Sequence, residues 1–171
     1  LECFIGQTPT ISIIYSQHPS NSWRTLMISS LLVICVGNIC RSPTAAKILQ
    51  QSLMNINVES AGLSALVGRN ASTKSQKIAV QNGINLDGHT ARQFDNSLAA
   101  QFDLLLALET SHLENIFNIA PEARGKAMLL GHWENKKEIP DPYGKSIEFH
   151  ASVFEQIHQA SISWINRLQN K

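Results

Sequence analysis

The sequence predicts a single α/β domain built on a parallel sheet. From Met27 onward, short apolar runs alternate with helix-like stretches, the order expected of consecutive βαβ units. The longest apolar run, Leu31 to Val36, reads as a buried strand, being far short of the roughly 18 to 20 residues that span a bilayer. A chain of 171 residues with 43% hydrophobic content has enough material for one sizeable core and too little for two full domains.

Each element follows from its own local signal. Leu31 to Val36 is the first strand, and Pro43 to Met54 a helix whose early proline suits a first turn. Asn57 to Ala61 is the second strand. Thr73 to Gln81 is helical and stops at Asn82-Gly83, a C-terminal signal. Phe102 to Leu108 is a buried third strand, followed by a helix from Ser111 to Asn118 and a fourth strand from Lys126 to Leu130. A polar loop through Ile139-Pro140-Asp141-Pro142-Tyr143 follows. In the last stretch Val153, Phe154, Ile157, Ser161, Trp164, Ile165 and Leu168 recur at helical spacing, with Glu155, Gln159 and Arg167 on the other face, which gives a long closing helix.

Composition excludes several classes of function. The formal net charge is +1, charged residues make up 16%, and there is no run of Lys or Arg, so neither nucleic acid nor an anionic membrane is indicated as a partner. Any handling of anions must be local. The three cysteines, Cys3, Cys35 and Cys40, are too few and too irregularly spaced for a disulfide framework, and a reducing compartment, the cytoplasm, is expected. The histidines show no ligand spacing with one another or with the cysteines, so no metal and no cofactor are expected. Residues 1–26 lack the pattern of a secretory signal and precede Met27; they are expected to be a non-native or disordered extension, with the domain spanning 27–171.

The chemistry is concentrated in Cys35-Val36-Gly37-Asn38-Ile39-Cys40-Arg41-Ser42-Pro43. A cysteine leaves the end of a buried strand, and an arginine follows six positions later at the start of a helix. Gly37 and Asn38 tolerate left-handed backbone angles, so the intervening N–H groups can turn toward one point. The helix N-terminus adds partial positive charge, and the Arg41 guanidinium grips two phosphate oxygens at once. A dianionic phosphate fits such a cradle. The same field favours the thiolate of Cys35, and Ser42 is placed to donate a hydrogen bond to that sulfur. The second glycine and the lysine of a nucleotide P-loop are missing.

An aryl oxygen leaves poorly unless it is protonated as its bond to phosphorus breaks, so a carboxylic acid is needed opposite the nucleophile. Asp141, fixed between two prolines after the fourth strand, is the candidate, with Tyr143 beside it to wall a pocket for an aromatic ring. Plainer readings exist for each residue. A cysteine six positions before an arginine arises by chance, Asp-Pro usually marks a turn, Tyr143 and Cys40 can be packing residues, and a lone His89 is more often structural than catalytic.

Taken together, these segments resemble the low-molecular-weight protein tyrosine phosphatases. Cys35 to Pro43 matches the family's signature loop and Asp141-Pro142-Tyr143 its acid loop, while Ser60-Ala61-Gly62 and His89-Thr90-Ala91-Arg92-Gln93 match further segments in order. The resemblance implies a three-layer, doubly wound fold: a four-stranded parallel sheet with helices on both faces. It implies Cys35 as nucleophile, Arg41 as phosphate clamp, and Asp141 as general acid and then general base. Val36, Gly37, Asn38, Ile39, Cys40 and Ser42 would form the phosphate-binding loop, supported by hydrogen bonds from Asn38, Ser60 and His89. Leu63 and Tyr143 would border the substrate pocket. In this family the second loop cysteine, here Cys40, can form a reversible disulfide with the nucleophile, an alternative to simple burial.

Gly131-His132-Trp133, Ile139 to Tyr143 and the short loop Leu63 to Gly68 are similar to the bacterial branch that serves exopolysaccharide and capsule systems. The implied substrate is a phosphorylated tyrosine autokinase, met by a monomeric enzyme. Related protein arginine phosphatases carry Thr in place of Ile39 and Phe in place of Tyr143, so both positions favour tyrosine. Arsenate reductase on the same fold relays a disulfide through downstream cysteines, and this chain has none after Cys40. A silent phosphotyrosine-binding module would lack the nucleophile or the acid.

Overall fold

The structure, a computed structural model, describes residues 28–169. The expectation for residues 1–26 lies outside them. Four strands, β1 (Ser30–Cys35), β2 (Asn57–Gly62), β3 (Leu104–Ala107) and β4 (Ala127–Leu129), form one parallel sheet in the order β2-β1-β3-β4. Five helices connect and cover them: α1 (Arg41–Ser52), α2 (Thr73–Gln81), α3 (Asn96–Ala100), α4 (Thr110–Ile119) and α5 (Ile147–Gln169).

Because β1 sits in the interior of the sheet, both of its faces must be apolar, and Leu31, Leu32, Val33 and Ile34 are each 0% exposed. Alternation sends them to two cores. Leu31, Val33 and Cys35 pack with Ala45, Leu49, Val153, Ile157 and Trp164, residues of α1 and α5. On the other face Leu32 and Ile34 meet Phe94, Ala99, Phe102 and Ile116, carried by α3, α4 and their approaches. Each such side chain contributes about 1.5 to 3 kcal/mol on burial. The strand therefore gives the loop that follows Cys35 a fixed base. Among the described residues, no helix is long and apolar enough to cross a membrane.

The expected elements are present, with shifted ends. α1 starts at Arg41 rather than Pro43, so the proline still lies in the first turn, where its missing N–H costs no helical bond. The helix stops at Ser52, and Met54, expected inside it, is 89% exposed. β3 begins at Leu104, and Asp103 just before it binds the start of β1. Its carboxylate accepts from the backbone N–H groups of Ser29 and Ser30 at 2.9 and 3.0 Å, tying down the start of β1. Two short elements escape a periodicity reading. α3 has five residues, capped by Asp95, whose side chain accepts from Leu98 N. A 3-10 turn, Pro121–Gly125, precedes β4.

The chain leaves β1 toward β2 on one side and reaches β3 on the other. The carboxyl ends of β1 and β3 thus flank the point where the winding reverses, the usual place for a ligand in an open α/β sheet. Cys35 is the last residue of β1 and Glu109 lies two residues beyond β3.

Candidate active site

Between Cys35 and Arg41 the backbone is held entirely from outside. The carbonyls of Cys35, Val36, Gly37 and Ile39 accept from the N–H groups of Leu63, Ser64, Leu66 and Ser72 at 2.7 to 3.0 Å. The Asn38 carbonyl meets His89 Nε2 at 2.7 Å, and the Cys40 carbonyl accepts from Thr44 Oγ1 at 2.7 Å. The N–H groups of Gly37, Asn38, Ile39 and Cys40 donate to no acceptor among the described residues. With every carbonyl turned outward, the amides are left to converge on the other side of the loop, which is an anion nest.

Asn38 makes this turn possible. It is fully buried with φ of 55°, a left-handed angle that asparagine tolerates. Its Nδ2 donates to Ser42 Oγ and Ser60 Oγ, both at 2.9 Å, while its Oδ1 accepts from Arg92 N at 2.9 Å. Gly37, expected to share the left-handed role, has no positive φ and room for a Cβ, so Asn38 alone turns the loop. Against this loop the glycine that sterics demand is Gly62, where a Cβ would lie 2.4 Å from the Val36 carbonyl oxygen.

Cys35 is 3% exposed and its Sγ lies 3.0 Å from Ser42 Oγ. Cys40 is also a free thiol, turned toward Ser72 Oγ at 3.2 Å. Burial pushes the Cys40 thiol up from its ordinary value, only partly offset by hydrogen bonds from Ser72 and Ser75. His89 is shifted down by burial, against the bond to the Asn38 carbonyl that favours its charged form. A neutral ring with its proton on Nε2 donates to that carbonyl.

Arg41 is 1% exposed in its side chain. One terminal nitrogen donates to Glu109 and to the Ile139 carbonyl, and the other pairs with Asp141 Oδ2 at 2.9 Å. Its Nε has no partner among the described residues. The acid loop reaches the guanidinium because Ile139, itself buried, donates its N–H to the Leu108 carbonyl at the end of β3. Within that loop Asp141 Oδ1 accepts from Tyr143 N at 3.1 Å.

These groups surround a pocket of about 190 Å³ with Cys35 and Arg41 at its base. Val36, Ile39, Leu66 and Tyr143 form apolar walls and Asp141 stands at the side. Leu63, expected at this pocket, is not part of its wall. Its N–H bonds to the Cys35 carbonyl, and its side chain packs partly buried with the core on the α3/α4 face, so Ser64 and Leu66 take its place.

Glu109 is a site residue that the sequence reading does not find. It is the residue before α4, and His112, one turn on, places Nε2 3.5 Å from its carboxylate. A signal for it exists: an acidic residue just past the carboxyl end of a buried parallel strand, level with Cys35.

Residues 30–171 match the family model described as low molecular weight phosphotyrosine protein phosphatase. A putative low molecular weight protein-tyrosine-phosphatase of Klebsiella pneumoniae is 49% identical over 143 residues, covering 84% of this chain and 99% of that one. The crystal structure of the tyrosine phosphatase Wzb from Escherichia coli K30 in complex with sulphate superposes with a TM-score of 0.82 at 50% identity, over 83% of this chain and 99% of that one. YwlE arginine phosphatase from Geobacillus stearothermophilus is more distant, with a TM-score of 0.78 at 28% identity, over 83% of this chain and 94% of that one. With the matched segment running from β1 through α5 and relatives this close over nearly their whole length, the chain belongs to the low molecular weight phosphotyrosine protein phosphatase family.

Proposed function

We propose that the protein hydrolyses phosphotyrosine in protein substrates through a cysteinyl-phosphate intermediate. The observation that carries this reading is the loop after β1, whose carbonyls all bond outward while four amides and the Arg41 Nε stay unpartnered around Cys35 among the described residues. Such a cradle takes the three equatorial oxygens of a phosphoryl group in flight.

In this reading Cys35 Sγ attacks phosphorus and the bond to the tyrosyl oxygen breaks. The Arg41 edge carrying Nε and the nitrogen now paired with Asp141 takes two phosphoryl oxygens, and Asp141, released from Arg41 and protonated from solvent, gives that proton to the departing phenolate. Water then attacks the cysteinyl phosphate, Asp141 accepts its proton, and the S–P electron pair returns to Cys35, with Ser42 Oγ donating to the sulfur. Inorganic phosphate and the starting enzyme result.

The partner we propose is a tyrosine autokinase of an exopolysaccharide or capsule system. That assignment rests on the similarity of residues 131–133 and 139–143 to the bacterial branch. The low cysteine count supports a cytoplasmic setting and a monomer is the expected form. Likeness to an arginine phosphatase leaves phosphoarginine as the second substrate to test, while Ile39 and Tyr143 in the pocket wall favour an aromatic ring.

Release of phosphate from p-nitrophenyl phosphate and from a phosphotyrosine peptide is expected without added metal, and to be abolished in Cys35→Ser. Activity surviving in that variant would sink the mechanism. Faster turnover of a phosphoarginine peptide than of its phosphotyrosine counterpart would overturn the substrate assignment.

A further inference from the structure

The phosphate pocket continues past its rim. A second groove of about 510 Å³ runs beside it, between the loop after β2 and the first turn of α2, and Ile39, Leu66 and Tyr143 line both. Leu66 and Tyr143 are 42% and 64% exposed, so the ridge between the two hollows is an accessible apolar surface. Beyond that ridge the lining is small and polar, and it contains one charged side chain, Arg69.

Arg69 is fixed by its backbone and uncommitted at its tip. Its N–H donates to the Leu66 carbonyl at 3.0 Å and its carbonyl accepts from Ala91 N at 2.8 Å. Its guanidinium forms no salt bridge with any described residue, whereas the carboxylates at the phosphate site, Glu109 and Asp141, are engaged by Arg41. The groove thus presents an uncompensated positive charge next to a pocket built for an anion.

An extended peptide advances about 3.3 Å per residue, and side chains two apart share a face about 7 Å from each other. A tyrosine ring seated between Val36 and Tyr143 therefore carries a neighbouring residue across the Leu66–Tyr143 ridge. We propose that the second groove is a subsite for a residue flanking the phosphotyrosine, and that Arg69 makes it prefer an anionic side chain, carboxylate or phosphate, over a neutral or basic one. This deepens the phosphotyrosine reading and rests on it.

The test is kcat/KM for phosphotyrosine peptides differing only at the flanking positions, where Glu, phosphoserine, Ala or Lys is placed. The Glu and phosphoserine peptides are expected to exceed the Ala peptide by about three- to fivefold, the range of an exposed ion pair, and the Lys peptide by more. The advantage should fall to about onefold in Arg69→Ala and reverse toward Lys in Arg69→Glu, and it should shrink with added salt. Because each ratio is taken within one variant, a loss of folded protein leaves it unchanged. A wild-type enzyme indifferent to its flanks, or a preference that persists in Arg69→Ala, overturns the subsite. If p-nitrophenyl phosphate and every phosphotyrosine peptide go unhydrolysed, it is the phosphatase reading that has failed.

Discussion

Arg41 is clamped at one end by Glu109, and its opposite edge, where Asp141 pairs with it, faces the pocket. Glu109 and the Ile139 carbonyl occupy one terminal nitrogen, so the edge formed by Nε and the remaining nitrogen is held toward the pocket. A guanidinium has five donors in a fixed plane, and fixing one of them fixes the direction of the rest.

Removing that clamp should disturb catalysis more than folding. In Glu109→Ala, Asp141 still balances the charge of Arg41 and the Ile139 carbonyl still accepts from it, but the guanidinium loses one of the two anchors on that nitrogen, and misplacement of a positioning group by about 1 Å costs on the order of 100-fold. We expect kcat/KM for p-nitrophenyl phosphate to fall by about that factor in Glu109→Ala. Glu109→Gln, which keeps an acceptor oxygen, should recover most of it. Equal losses in the two variants would show that charge, rather than orientation, is what Glu109 supplies.

Asn38 bears on both stability and the site. Asn38→Ala removes three side-chain hydrogen bonds worth about 1 kcal/mol each and forces a left-handed angle on alanine at a cost of about 1 to 2 kcal/mol. A destabilisation of about 4 to 5 kcal/mol is expected by urea denaturation. Asn38→Gly tolerates the angle and loses only the bonds, so it should lie between Asn38→Ala and the wild type.

The sheet and the phosphate loop are legible in the sequence because their signals are local. A continuous apolar run marks β1, and the residues of the cradle are contiguous from Cys35 to Ser42. What escapes the sequence lies where contacts cross the sheet. Glu109 reaches Arg41 only because β1 and β3 are hydrogen-bonded neighbours with their carboxyl ends level, and strand order is not written in any one segment. Leu63 is misplaced for a related reason. A side chain just beyond a strand takes its face from the register, and the register of Gly62 against Cys35 turns Leu63 to the α3/α4 side. α3, only five residues long, has too few turns to show a period.

Asp141 should reveal its role through the leaving group. In the resting structure it neutralises Arg41, so Asp141→Asn removes an ion pair as well as an acid. Proton donation is worth roughly 100- to 10,000-fold when the leaving oxygen is basic and little when it is not. Across a series of aryl phosphates, kcat in Asp141→Asn should fall steeply as the phenol pKa rises, while the wild type stays nearly flat. An equal loss at every phenol would assign Asp141 to Arg41 alone.

Acid should loosen the fold through His89. Its native pKa lies below the ordinary value of 6.5, chiefly through burial, so the unfolded chain binds more protons in the window just beneath that value. Stability from this group is therefore complete above pH 6.5 and is lost as the pH falls from there toward the native pKa. His112 and His150 are shifted down in the same direction, each mainly by burial, and add to the slope. The urea midpoint should drop between about pH 7.5 and about pH 5.5, and His89→Gln, which cannot gain a proton, should drop less. Glutamine can still offer an N–H toward the Asn38 carbonyl, so its activity at neutral pH separates loss of the loop contact from loss of the titration. A pH slope identical to that of the wild type would remove His89 from the linkage.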